Sequence, residues 1–269
     1  MKEGFRQAMA WLHTWAGLIF GWLLFAIEGF VADFVATMPW FAGWCGVMVN
    51  LSDIAAMGGQ ATAITDMIWA PDAASARPVL EGLKAASAAY GVPIIGGHTN
   101  LRSPMLNLSV AVTGRARTLI SSFAAKPDDL LIAAIDLRGD WRPRFDNWFA
   151  ASATPEGRLR GDLALLVSLA EADLVRAGKD ISQGGIAGTS LMLAECSGCG
   201  FEIDIDRLPM PPGTSIARWM RAFPSFGFLL SVRLSAAKEV CARFADRGLA
   251  GGEARDRAGA RAGGPQSLA

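Results

Sequence analysis

The sequence has no excess of charge of either sign. Its 269 residues carry 25 Lys and Arg against 25 Asp and Glu, and no basic stripe with interleaved aromatics appears, which argues against nucleic acid as a partner. Cysteine is scarce. Positions 45, 196, 199 and 241 are too few and too scattered for a disulfide framework. Cys196-Ser-Gly-Cys199 has the CxxC form but neither a second pair nor a nearby histidine to complete a metal site, so two small thiols at a helix end are the default. The length is enough for one large or two modest domains with a real core.

The N-terminus carries a long apolar run. Ala8 to Ile27 is broken only by His13, Thr14 and glycines, follows Lys2 and Arg6, and holds tryptophans at 11, 15 and 22. That pattern fits a membrane-spanning helix with its basic end in the cytoplasm. AMAWLHTWAGLIFGWLLFAI also resembles the first span of PepSY-associated membrane proteins. His13 offers one ligand at most and reads as an isolated polar residue. The same run ends in Leu23 to Phe30, which reads equally well as a buried strand, and one segment cannot be lipid-embedded and be a central strand. Two unrelated beginnings joined near Leu23 to Ile27 is the expectation.

Two later stretches carry the chemistry. Val49-Asn50-Leu51-Ser52-Asp53-Ile54-Ala55-Ala56-Met57-Gly58-Gly59 has apolar residues at helical spacing and closes on a glycine pair, the mark of a helix with a glycine cap. Asn50 and Asp53, three apart, share a face that holds a cation or polyphosphate or is a solvated polar stripe. Val92 to Ile95 predicts a short buried strand, after which Gly96-Gly97 leaves backbone N–H groups open to an anion.

NLSDIAAMGG followed by IIGGHT resembles the AIR synthase-related superfamily. That group includes aminoimidazole ribonucleotide synthetase, thiamine-monophosphate kinase and selenophosphate synthetase. The helix is most similar to the kinase, whereas His98, where the kinase has Asp, is more similar to selenophosphate synthetase. The resemblance implies an α+β fold of two domains and an ATP- and Mg2+-dependent phosphoryl transfer or activation of a small molecule. It implies nucleotide binding by Asn50, Gly96, Gly97, His98 and Thr99, and metal binding by Glu28 and Asp53, with Glu28 standing where the kinases carry Asp at a strand end. It also implies a cleft at a homodimer interface. The glycine loop and Asp-Asp segment with which members open have no counterpart before Glu28, which puts catalytic competence in question.

The rest of the chain divides on punctuation. Ala76 to Tyr90 predicts a helix stopping at Gly91, and Met105 to Gly114 alternates as a half-buried strand. Lys126-Pro127-Asp128-Asp129 is a turn in which acids sit for backbone reasons, followed by a buried strand to Asp136. Residues 137–157 have no period and predict a linker and mobile loop, where Arg138, Arg142 and Arg144 meet an anionic substrate or merely solvent. Arg160 to Ala177 predicts an amphipathic helix ending at Gly178. Lys179-Asp180-Ile181-Ser182-Gln183-Gly184-Gly185 resembles the superfamily's turn into a helix, which implies phosphate binding by Ser182, Gly184 and Gly185 at exposed N–H groups. Gln183 replaces the kinase's acid there, and an amide cannot act as a general base. Gly200 to Leu208 and Phe226 to Val232 predict strands, and Ser235 to Arg247 a helix. After Leu249 nothing orders itself.

The expected domains are 1–22 (hydrophobic segment), 23–136, 137–157 (linker), 158–249 and 250–269 (disordered tail). The expected location is cytoplasmic, or anchored in the inner membrane through residues 8–27. Two other classes stay open from the sequence: a membrane-anchored, non-catalytic nucleotide- or partner-binding protein, and a non-functional chimeric product.

Overall fold

A computed structural model describes residues 21–254 apart from 143, 153 and 156. Among these residues two four-stranded sheets, each with its own helices, stand in chain order, with a two-stranded hairpin besides. The first contains β1 (Trp22–Phe30), β2 (Gln60–Trp69), β3 (Ile94–Asn100) and β4 (Asn107–Ala116) in the order β1-β4-β2-β3. The β1/β4 and β4/β2 pairs are antiparallel and β2/β3 is parallel. The parallel pair needs a crossover, and α3 (Ala73–Tyr90) supplies it. Asp72 caps that helix by accepting from the Ser75 N–H, and Gly91 ends it at a φ of 66°.

One face of this sheet is covered by α2 (Pro39–Ala56), preceded by the short α1 (Ala32–Thr37). Fifteen of the eighteen residues of α2 are buried, because it is wedged between the sheet, α3 and the second half of the chain. Its crossing with α3 is set by glycine on both sides: a Cβ at Gly43 would land on the Val79 carbonyl oxygen, and one at Gly82 on the Trp40 carbonyl oxygen. Among the described residues no helix covers the other face of the sheet. There Leu23, Phe25 and Ile27 stand 78%, 60% and 61% exposed, on the same face as Met67 of β2, which lies across β4 from Gly29.

The second sheet runs β10-β5-β9-β8, antiparallel throughout: β5 (Asp129–Ile135), β8 (Ala177–Asp180), β9 (Gly227–Arg233) and β10 (Ala250–Ala254). All of β5 is buried, which explains its unbroken apolar run after Asp129. It has α4 (Arg158–Glu171) and α7 (Leu234–Ala245) on one side, and α5 (Gly185–Ser197) with the one-turn α6 (Ile216–Trp219) on the other. Ala55 and Ala56, at the end of α2, join the core of α4 and β9, so the two halves share apolar packing.

Several expectations are corrected. Residues Trp22–Ile27, the end of the apolar run 8–27, are hydrogen-bonded to β4 as an edge strand, not a buried central strand and not part of a membrane helix. The start of that run, with its PepSY resemblance, lies outside the described residues, and among the described residues no helix is long and apolar enough to cross a membrane. The stretch 137–157 is no loose linker. It folds into a hairpin of β6 (Asp140–Arg142) and β7 (Asn147–Phe149) whose Trp141 and Trp148 pack edge-on at 5.3 Å, with Trp219 at 6.0 and 5.5 Å. The Trp148 indole donates to the Asp136 carbonyl at 2.9 Å. The helix expected to run to Ala177 stops at Glu171 and the chain continues as β8, while 200–208 is irregular. The tail expected from residue 250 is a paired strand as far as Ala254, because its backbone completes the open edge of β5.

Candidate functional site

Three acids from three elements meet where the halves adjoin. Glu28 lies on the helix-facing side of β1, Asp53 one turn before the end of α2, and Asp180 at the last residue of β8. Asp53 and Asp180 share a hydrogen bond, which two carboxylates can make only when a proton lies between them. The second Asp180 partner is Ser225, whose hydroxyl donates to Oδ2 at 2.8 Å. Burial pushes the Asp53 carboxyl up to about 8, helped by the neighbouring Asp180 and Glu28 charges. Asp180 is raised by burial, against the bonds from Ser225 and Asp53 that favour its charged form. Glu28 is raised by burial and by Asp180. Lys179 is the nearby cation that opposes these shifts. Asp53 therefore keeps its proton near neutral pH, and the pocket is short of positive charge.

The donors suit a hard divalent ion in kind, since carboxylate oxygens bind Mg2+ while water and phosphate fill its remaining positions. Among the described residues, no three His, Cys, Asp or Glu are grouped so as to hold a metal ion by themselves. Glu28 and Asp53 thus fit as a partial ligand set that needs oxygens from elsewhere.

The other expected residues scatter. Asn50 is fully buried, and its side-chain amide donates to the Gly46 carbonyl at 2.7 Å. It turns into the core rather than toward the face of Asp53, because the helix is enclosed on most sides. Gly96, Gly97, His98 and Thr99 do not follow a strand but lie within β3, exposed, at the edge of the sheet opposite β1. Three strand spacings, roughly 14 Å, separate them from Glu28. Gly97 has a local reason: a Cβ there would sit 2.6 Å from Asp66 Oδ2 on the adjacent strand.

Ser182, Gly184 and Gly185 form the turn from β8 into α5, two to five residues beyond Asp180. Its amides are less open than expected, since the Gly185 N–H donates to the Ser182 carbonyl and the Ala187 N–H to the Met220 carbonyl. Gly185 itself is required, with a φ of 64° and the Met220 carbonyl filling the space of a Cβ. Asp129 is spent on Arg176 at 3.0 Å and the Ser231 hydroxyl at 2.8 Å. Of the three loop arginines, Arg138 is tied to Asp136 at 2.7 Å and Asp162 at 3.3 Å, and Arg144 reaches the Thr37 hydroxyl. Arg142 makes neither bond and lies over the Phe149 and Phe41 rings at 4.7 and 5.8 Å.

Asp180 and Ser225 are what the residue pattern did not single out. Asp180 had a signal, an acid at a strand end just ahead of a glycine turn. Ser225 had none, since its role depends on a partner 45 residues away.

Comparison with known proteins agrees with this architecture. Residues 16–116 match the AIR synthase related protein N-terminal domain, and residues 150–257 match the C-terminal domain. An uncharacterised protein of Synechocystis sp. is 46% identical over 230 residues, covering 85% of this chain and 71% of that protein. The thiamine-monophosphate kinase of Methanospirillum hungatei is 30% identical over 195 residues, covering 69% of this chain and 64% of the kinase. Thermotoga maritima PurL complexed with ATP superimposes with a TM-score of 0.71 at 19% identity, over 86% of this chain and 40% of PurL. The first family match begins inside the apolar N-terminal run, in keeping with the strand pairing of β1. With both domain types matched in order on an α+β fold of two sheets, this chain belongs to the AIR synthase-related family.

Proposed function

We propose that the chain binds ATP with Mg2+ and transfers a phosphoryl group to, or activates, a small molecule. The observation that carries this reading is the Glu28, Asp53 and Asp180 cluster. Acids drawn from both halves of the fold are brought together, Asp180 buried and Glu28 and Asp53 half-buried, and one of them is kept protonated for want of a cation. Glu28 and Asp53 would hold the metal, whose charge would offset that of the transferred phosphoryl. Asp53 would release its proton, and with it the bond to Asp180, on binding the cation, and Asp180, held by the Ser225 hydroxyl, would stay beside the metal as a further negative charge. The kinase and the ATP-complexed PurL among its relatives support ATP as the nucleotide.

The strand Gly96–Thr99 lies too far from Glu28 to complete the same pocket within one chain. We place it opposite the acids of a second copy, in a homodimer formed through the helix-free face of the first sheet. Leu23, Phe25 and Ile27 support that face as the interface, since such a row of exposed apolar side chains along one strand is costly to leave in water. Titration calorimetry of the folded chain with Mg2+ and ATP tests the reading. Saturable, Mg2+-dependent heat that is lost in Asp53→Asn is expected, and no heat from a properly folded sample refutes it.

A further inference from the structure

Away from the acids, the seam between α2 and the β6–β7 hairpin holds polar atoms with nothing to bond among the described residues. Asn147 is fully buried, and neither its Nδ2 nor its Oδ1 has a partner among those residues. Arg142 stands directly opposite it in the hairpin, so both side chains lie on the same face, and its Nε is also buried and unpartnered. Across the seam, the Trp44 Nε1 of α2 is the third such group. Phe149, two residues beyond Asn147 and on the same face, meets Phe41 and Trp44 of α2 edge-on at 5.2 and 5.3 Å. A buried amide without partners is a costly thing for a fold to keep, and a second and third beside it make chance a poor explanation.

We infer that this seam is a binding slot for a flat molecule bearing a primary carboxamide, or the matching N–H and C=O edge of a heterocycle, closed in the ligand-free chain. The chemistry follows from what each orphan lacks. Arg142 Nε, Trp44 Nε1 and Asn147 Nδ2 all need an acceptor, whereas Asn147 Oδ1 needs a donor. A carboxylate or phosphate would satisfy the first three and leave Oδ1 unbonded. A carboxamide supplies both, pairing reciprocally with Asn147 while the second lone pair of its oxygen accepts from Arg142 Nε, which leaves only Trp44 Nε1 to an acceptor elsewhere on the ligand. The Phe149, Phe41 and Trp44 rings give a flat group its walls.

The test needs neither nucleotide nor metal, so its failure leaves the ATP reading untouched. Benzamide, benzoate and phenyl phosphate share a ring and differ in the polar head. Each is titrated into the nitrogen-15-labelled full chain, following the Trp44 indole N–H resonance, identified from Trp44→Phe. Benzamide should shift it saturably, with the other two weaker by about tenfold or more. Asn147→Leu, near in size and without the orphan amide, should resist urea better than the parent and lose the response. Arg142→Met gives the same binding test should the first variant fail to fold. Three probes acting alike or none acting would overturn the assignment. So would an ordered water bonded to Asn147 in a crystal structure of the unliganded chain, with the seam closed.

Discussion

Replacing Asp53 by Asn tests the electrostatics of the acid cluster without any ligand. In the folded chain the Asp53 carboxyl is raised from 3.8 to about 8 by burial and by Asp180 and Glu28. A group raised in this way keeps its proton longer in the folded than in the unfolded state. Its stabilising contribution is complete below about pH 4 and is lost as the pH rises through about 8. At about 1.4 kcal/mol for each pH unit between those values, the ceiling is about 6 kcal/mol. Asp53 is partly exposed, and water entering the pocket lowers that to roughly 2–4 kcal/mol.

The comparison would mislead if the substituted amide broke the bond to Asp180, but an Asn side chain donates where the protonated acid did. Asp53→Asn should therefore match the parent near pH 4 and exceed it by roughly 2–4 kcal/mol near pH 8.5. Urea unfolding followed by tryptophan fluorescence across that range gives both curves. Glu28 and Asp180 are also raised, so the variant keeps some slope and the difference between the curves is the quantity to read. Mg2+ should flatten the parent's curve and leave the variant's unchanged. Parallel curves for the two proteins, with no gap opening at high pH, would refute the shared-proton account.

Further outcomes follow from the packing. Gly82→Ala drives a methyl into the Trp40 carbonyl at the α2–α3 crossing, where neither backbone can yield cheaply. A loss of about 3 kcal/mol in unfolding free energy is expected by urea titration, and a neutral result would contradict the close approach. Phe25→Asp puts a charge in the middle of the exposed apolar strip of β1. Sedimentation velocity should show a dimer for the parent and a monomer for the variant, and equal sedimentation would remove that face as the interface. Ser225→Ala takes the hydroxyl bond from Asp180, so Mg2+-dependent nucleotide heat should weaken severalfold while the fold, by circular dichroism, persists.

The local pattern was sufficient for most elements. The glycine stop after Ala56, the Gly91 cap, the alternation in β4 and the apolar run of β5 each follow from short-range rules that tertiary packing did not need to override. Where readings failed, the deciding term was long-range. The stretch 137–157 has no period, yet Trp141 and Trp148 bury it against Trp219. Residues 250–254 are poor in apolar area, yet the open backbone edge of β5 orders them.

By itself, then, the order of residues determined the family, the helix that carries Asp53 and the strand end that carries Glu28, because those depend on spacing within a few turns of chain. Only the tertiary structure decided that Asp180 is the partner of Asp53, that Asn50 faces the core, and that Gly96 to Thr99 sit at the far edge of the sheet. The reason is that burial and charge repulsion depend on distance in space, and residues 53 and 180 become neighbours only once both sheets have closed around α2.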